Sequence, residues 1–521
     1  MTASSLPPSS ETLQSDSPSF WTAATLAAIT RGKWMSKPPA GAESLTISGV
    51  STDNRAVTPA SCFVAIKGER HDGHDYAAKA MEAGAAMVVA SRPITGLRDG
   101  AVLVVEDTRR ALGRLAAAYR DYLGSQGATF IAVCGSNGKT TTVRMIDAVL
   151  RAAHPGTSSQ KSFNNDIGVP LTILSAKPGD HFVLCEVGTN HPGEINTLGA
   201  IVRPDIAVIT SIGREHLEGF GDLAGVMREE ASIVRHLRPA GTLMYAEAPA
   251  LPDGRTFEGL LDTFTNSFTP RCLDRAYWLR RVQTVEVGGK AAVGAPIAPR
   301  IGVQWKDLNG LMWQVPLAGE HNASNAMLAV WVGQAMGLDN EAIAAALLTV
   351  QGAAMRQEVK SVGAVTVVND AYNANPDSML ASLAAFTALT PGAQRRVAVL
   401  GQMGELGEST AAAHAEVLSA ALETQGIGAV LVAGPSFAAA ADVAPPGAIL
   451  AVEPQMSDEA AQRLAAYIKP GDAVLIKGSR ATAMERVADA ITTRFGSSKS
   501  GASRPAATSV SPGESKGRSA P

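Results

Sequence analysis

The stretch FIAVCGSNGKTTTVRMI, residues 130–146, constrains the fold more than any other part of the chain. FIAVC is apolar without alternation, which reads as a strand buried on both faces, the kind found in parallel sheets. It runs into a glycine turn. Val143, Ile146 and Leu150 then recur at helical spacing. A buried strand, a tight turn and a helix are the opening of a βαβ crossover, so the chain must build a parallel α/β sheet. The same unit is a phosphate cradle. N–H groups of Gly135, Ser136, Asn137 and Gly138 point at an anion, and Lys139 reaches terminal phosphates. The Thr140 hydroxyl can hold Mg²⁺, and Thr141 completes the GKTT run. The loop is shorter than G-x-x-x-x-G-K-[ST], with Val133 standing where the first glycine would be.

Strand–helix alternation continues on both sides. One block, 20–127, has strand-like runs at 62–66, 86–90 and 101–107 and closes on a helix carrying Leu112, Leu115, Tyr119 and Leu123. A second, 128–318, continues the opening strand through 181–188 and 205–213. A third, 319–496, has strands at 364–370, 395–401, 427–434 and 472–479 between Ala-rich helices. The expectation is three α/β domains, the last a Rossmann-like parallel sheet. Residues 252–313 read as an irregular β elaboration of the second. GQMGELG lacks G-x-G-x-x-G spacing, which excludes a dinucleotide fingerprint. The ends, 1–19 and 497–521, are Ser/Pro/Gly/Ala-rich, too polar to offset ordering entropy, and read as disordered tails.

Composition removes several functions. A net charge of −3 offers no basic face to nucleic acid. No apolar run reaches the roughly 18 residues a membrane helix needs. The first residues lack the basic and apolar segments of a signal peptide. Four scattered cysteines without C-x-x-C spacing argue against disulfides or zinc and for a reducing cytoplasm.

The loop G-S-N-G-K-T-T resembles the ATP loop of the Mur ligases, which build the peptide stem of bacterial cell wall. Further stretches carry the resemblance in order: GVSTDNRAVTPASCFVAIKGERHDGHDY (49–76), KSFNNDIGVPLTIL (161–174), EVGTNHPGEI (186–195), ITSIGREHLEGFG (209–221), GEHNASNAMLA (319–329), MRQE (355–358), NDAYNANPDSM (369–379), GQMGELGE (401–408) and LIKGSRATAMERV (475–487). Within the family, YNANPDSM and GQMGELGE resemble the members that join D-alanyl-D-alanine to UDP-N-acetylmuramoyl-tripeptide. The resemblance implies a monomeric cytoplasmic enzyme that uses ATP and Mg²⁺ through an acyl phosphate. It implies Mg²⁺ ligation by Thr140, Glu186 and His216, and nucleotide contacts from Asn322, Asn325, Arg356 and Asp370. It places the UDP-substrate near Thr52, Asp53, Asn54 and Arg55, with Lys67 and His74 close by, and near Asn164 and Asn165. Tyr372, Asn373 and Asn375 fall on the dipeptide side, and Lys477, Ser479 and Arg480 form a carboxylate or acyl-phosphate clamp.

Each of these residues also has a plainer reading. Asparagines cap helices and turns, exposed arginines and histidines are common, and Asp53 could form a simple turn. Two departures from the family stand out. GTLMYAEAP (241–249) lacks the asparagine expected near the nucleotide base. The family lysine that CO₂ converts to a metal-placing carbamate falls, counting back from Ile233, on Glu230. Glu230 is then expected to supply the charge directly, while Glu229 points about 100° away around the helix. The alternatives are a Mur-type ligase for another amino acid or amine, a non-catalytic nucleotide-binding homologue, and an NTPase coupled to motion.

Overall fold

The computed structural model describes residues 21–36, 41, 44–97, 101–160, 162–264, 268–273, 282–290, 296–307 and 309–496. The expected tails lie outside these. The described residues form two compact units. The first holds those up to Ala353 together with Asn375–Leu389 and Met403–Glu416; the second holds Ala354–Ala374, Thr390–Gln402 and those from Val417 on.

The first unit contains three sheets. One is five-stranded, with Val50–Ser51, Cys62–Val64, Met87–Ala90 and Val102–Val104 parallel and Lys33–Trp34 antiparallel at its edge. Phe63, Val88 and Val102 pack its core. The second is six-stranded and wholly parallel, in the order Phe268–Leu273, Gly241–Ala246, Ile206–Ile209, Thr129–Cys134, Phe182–Glu186, Gly156–Ser158. Its central strands are buried along their length, as their unbroken apolar runs require. The third answers the irregular stretch before Trp313: Gln283–Lys290, Pro296–Lys306 and Met312–Val315 form an antiparallel sheet.

The helix Lys139–Arg151 lays Val143, Ile146, Val149 and Leu150 onto the parallel sheet. The helix Glu320–Ala335, read from the sequence as the opening of the third block, packs on it within the same hydrophobic core. Residues from Asn322 to Gly333 of that helix are all buried. A helix apolar on every side must be covered on every side.

The second unit is one six-stranded sheet, Glu358–Val362, Val365–Asp370, Asp472–Lys477, Arg395–Gly401, Ala429–Ala433, Ala451–Glu453, parallel except for its first strand. Val367, Val399, Leu431, Val474 and Ile476 build its core with Leu464, Val487 and Ile491.

Candidate active site

The phosphate loop leaves the parallel sheet at Cys134. Gly135 takes φ +119°, and a Cβ there would lie 2.5 Å from the Thr210 hydroxyl, so only glycine lets the loop press against the next strand's end. The Ser136 hydroxyl is tied to Gly213, and Asn137 N–H donates to Ser211 Oγ at 2.9 Å. Gly138, at φ +89°, begins the helix. A Cβ on Gly138 would lie 2.6 Å from Asn325 Oδ1, which sets Asn325 directly against the loop. Asn325 donates to Asn322, and Asn322 to the Ala318 carbonyl, so both asparagines are held in place behind the turn. Thr141 follows at the start of the helix. A cleft of about 370 Å³ runs from Thr140 past Asp147, Gln160 and Thr349.

Three charged side chains gather behind the loop, and a fourth, Glu186, ends the neighbouring strand. Lys139 Nζ donates to the Gly135 and Ser136 carbonyls and lies 3.8 Å from Glu215 Oε2. Glu215 is buried and its Oε1 has no hydrogen-bond partner. Glu230 is 1 % exposed and neither carboxylate oxygen has a hydrogen-bond partner. Burial pushes its carboxyl up to about 8, helped by Glu215; Lys139 opposes the shift, as do the nearby Cys134 thiol and Gly135 N–H. Glu186 ends its strand fully buried. Its Oε1 accepts from Asn164 Nδ2 at 3.0 Å, and its Oε2 has no partner. Thr140 Oγ1 lies 3.5 Å from Ser162 Oγ.

His216 sits at φ +47° with its ring on Glu405 and 3.9 Å from Glu215. Glu215 went unnoticed in the sequence beside the more conspicuous histidine. Glu229 behaves differently from its neighbour. It accepts from Gly193 N, Ile195 N and Thr189 Oγ1, capping the helix Glu194–Val202.

Among the described residues no three His, Cys, Asp or Glu side chains converge as a ready metal shell. The chemistry still fits a hard cation. Glu186, Glu215 and Glu230 present orphaned buried oxygens, and Mg²⁺ takes few protein carboxylates and keeps its waters.

Other expected site residues have other partners. Asn165 Oδ1 accepts the N–H groups of Ile167 and Gly168 and caps a helix, so Asn164 is the one facing Glu186. Asn375 exchanges side-chain hydrogen bonds with Asn137 and caps the helix Pro376–Leu389 through Ser378. Its amide is paired with the phosphate loop. Thr52 precedes a turn that Asp53 caps through the Arg55 N–H; Arg55 also hydrogen-bonds the Asp53 carboxylate and holds it down at about 2. Asn54 lies in that turn. Lys67 is bridged to Asp72, and the buried His74 joins Asp72 to the Ser91 N–H.

In the second unit, Arg356 stacks over Tyr372, Cζ 4.2 Å from the ring centre, between two non-glycine residues at positive φ, Met355 and Gln357. Asp370 Oδ2 accepts from Lys477 at 2.8 Å, its Oδ1 accepts from Gln357 N, and Lys477 also donates to the Asn373 carbonyl. Ser479 bonds Thr482, and Arg480 pairs with Glu485 at 2.9 Å.

Three sequence profiles match the chain: the Mur ligase family catalytic domain over residues 46–120, the Mur ligase middle domain over 133–333, and the Mur ligase glutamate ligase domain over 355–480. UDP-N-acetylmuramoyl-tripeptide–D-alanyl-D-alanine ligase of Escherichia coli K12 is 32% identical over 86% of this chain and 94% of its own length. The chain belongs to the Mur ligase family. The Bacillus subtilis 168 ligase of the same name is 34% identical over 72% of this chain and 77% of its own. Among solved structures, a crystal structure of MurF from Acinetobacter baumannii superposes with TM-score 0.75 at 30% identity, over 90% of this Mur ligase and 98% of that chain. The three-domain Mur ligase architecture expected from the sequence is therefore the family's own.

Proposed function

We propose that this Mur ligase joins D-alanyl-D-alanine to UDP-N-acetylmuramoyl-tripeptide at the expense of ATP. The observation that carries the reading is the group behind the phosphate loop: Lys139 beside the incompletely bonded carboxyl groups of Glu215 and Glu230, with that of Glu186 at the end of the neighbouring strand. The substrate carboxylate attacks the γ-phosphorus, giving an acyl phosphate and ADP. The dipeptide amine then attacks the acyl carbon, loses its proton, and phosphate leaves.

The N–H groups of Ser136 and Asn137 are spent on Ser211; those from Gly138 to Thr141 hold the phosphates, and Lys139 turns from its own loop carbonyls toward them. Bound Mg²⁺ would neutralise phosphate charge; Thr140, Glu186, His216 and Glu230 are its ligands in this reading, with Glu215 beside them. Asn322 and Asn325 steady the nucleotide, and Arg356 and Asp370 contribute from the second unit, where Lys477 orients Asp370. Thr52, Asp53, Asn54, Arg55 and Asn164 serve the UDP-substrate. Tyr372, Asn373 and Asn375 serve the dipeptide side, and Lys477, Ser479 and Arg480 form the carboxylate or acyl-phosphate clamp. Blocks 20–127, 128–318 and 319–496 divide the work of UDP-substrate, ATP and acceptor. In this reading the enzyme acts in the cytoplasm as a monomer.

The test is phosphate release with UDP-N-acetylmuramoyl-tripeptide, with and without D-alanyl-D-alanine. Release that depends on the dipeptide is expected. Release indifferent to it overturns the reading.

A further inference from the structure

The loop of residues 213–216 is tied down residue by residue, and all of the ties lie within the first unit. Gly213 exchanges hydrogen bonds with the phosphate-loop Ser136 hydroxyl. Glu215 faces Lys139, and His216 meets Glu405. The strongest ties belong to Arg214. Its backbone N–H donates to Asp377 Oδ2 at 2.7 Å, and its Nε and Nη2 donate to Asp377 Oδ1 at 3.0 and 2.8 Å. Its Nη1 and Nη2 also reach both oxygens of Glu416, at 2.6 and 3.2 Å. One guanidinium thus holds two carboxylates, each in a two-pronged fashion that a lysine cannot copy.

The packing leaves no slack. A Cβ on Gly213 would lie 2.5 Å from Asp377 Oδ2, so the helix Pro376–Leu389 rests directly on this loop. Two residues before Asp377, Asn375 is amide-paired to Asn137. The helix is therefore fastened twice: to the phosphate loop through Asn375, and to the loop of Glu215 and His216 through Asp377.

We propose that Arg214 is a positioning residue, which with Asp377 and Glu416 clamps the 213–216 loop so that Glu215 and His216 hold their places beside Lys139 during phosphoryl transfer. The inference rests on the ligase reading above. Arg214 commits its backbone N–H and its guanidinium to Asp377 and Glu416. Its removal frees the loop and leaves intact the N–H cradle that binds nucleotide. The loss therefore falls on turnover, where a small misplacement of reacting groups is costly, and not on nucleotide affinity.

The experiment compares wild type, Arg214→Ala, Arg214→Lys, Asp377→Ala and the Arg214→Ala/Asp377→Ala double variant in the full chain. It reads kcat and KM for ATP, the Kd of ADP, and the melting temperature. Arg214→Ala is expected to lose at least tenfold in kcat with the Kd of ADP within about twofold of wild type. Arg214→Lys should recover part of the loss, and the double variant should be no slower than the worse single one. A kcat within twofold of wild type, or losses in the two single variants that multiply in the double, overturns the proposal. If Arg214→Ala fails to fold, the Lys and Asp377→Ala variants carry the same test. Wild-type turnover separates this failure from failure of the ligase reading. If wild type shows no dipeptide-dependent phosphate release, the reading itself falls; if it does and Arg214→Ala matches it, only the clamp falls.

Discussion

In each unit a lysine stands beside a buried acid near the end of a parallel sheet, and the two pairs are completed differently. In the second unit, Asp370 and Lys477 are register partners on neighbouring strands, and their side chains close at 2.8 Å. Gln357 N–H and the Asn373 carbonyl take up further bonding capacity. In the first unit, Lys139 stands 3.8 Å from Glu215 and otherwise bonds its own loop, while oxygens of Glu186, Glu215 and Glu230 have no partner. Burying polar groups without partners costs roughly 1–3 kcal/mol each, more when charged, so such groups mark a site that a ligand completes. The Asp370–Lys477 pair works as a staple; the Lys139 site is a socket.

The sharpest way to break this contrast is Lys477→Ala. Leaving Asp370 buried and unpaired should cost about 3–5 kcal/mol of stability, read by chemical denaturation. Replacing both partners, Lys477→Met with Asp370→Leu, should recover most of it. A Lys477→Ala protein of unchanged stability that has lost ligation would make Lys477 a substrate clamp and not a staple.

Lys139→Ala should do the reverse. Ligation should fall at least a hundredfold, about 2.7 kcal/mol in the barrier, with the melting temperature nearly unchanged. Thermal melts beside steady-state rates check both halves. A variant that retains more than a tenth of the activity removes Lys139 from the catalytic site.

The difference between socket and staple was only partly legible in the sequence. The strand–loop–helix unit and the parallel strands could be read from apolar runs and glycine placement. Those signals are local. What escaped were pairings made by distant chain segments. Glu215 faces Lys139 across 76 residues of chain, Arg214 meets Asp377 across 163, and Asn137 meets Asn375 across 238. No spacing rule encodes such contacts. Asn164 and Asn165 show the limit at close range: they are adjacent and chemically identical, yet one binds Glu186 and the other caps a helix. Backbone direction decides between them, and the sequence does not display it.

Glu230 sharpens the contrast through pH. Burial pushes its carboxyl up from an ordinary 4.5 to about 8 in the folded chain. Between those values the native state holds a proton that the unfolded state has released. Stability of the ligand-free protein should therefore fall as pH rises from about 4.5 to about 8, by up to ~1.4 kcal/mol per pH unit, and level off above. Below about 4.5 both states are protonated and the dependence ends. Glu230→Gln keeps the shape without the titration, so its stability should lose this slope while ligation drops severely. Denaturant midpoints across that pH range, wild type against variant, measure it; parallel slopes would assign the pH dependence to other groups.

The smallest expected effect is none at all, and it separates this chain from Mur ligases that carry a carbamylated lysine. There the extended carboxylate depends on CO₂ for its existence. In the proposed reading Glu230 takes that lysine's place, and the structure buries it beside Lys139 and Glu215 rather than leaving it on the helix surface. Glu229, one residue earlier, cannot substitute, because three donors from the Thr189–Ile195 stretch already occupy it. Glutamate is shorter than a carbamylated lysine, and that difference can be bridged by a water, which Mg²⁺ readily retains. Ligation in bicarbonate-depleted buffer should thus proceed at the same rate as in buffer with added bicarbonate. A Glu230→Lys variant should be inactive in depleted buffer and regain activity as bicarbonate is added, since only then can the lysine acquire the missing negative charge. A wild-type rate that falls on depletion would mean that the charge in this socket comes from a carbamate elsewhere, and that Glu230 is not its source.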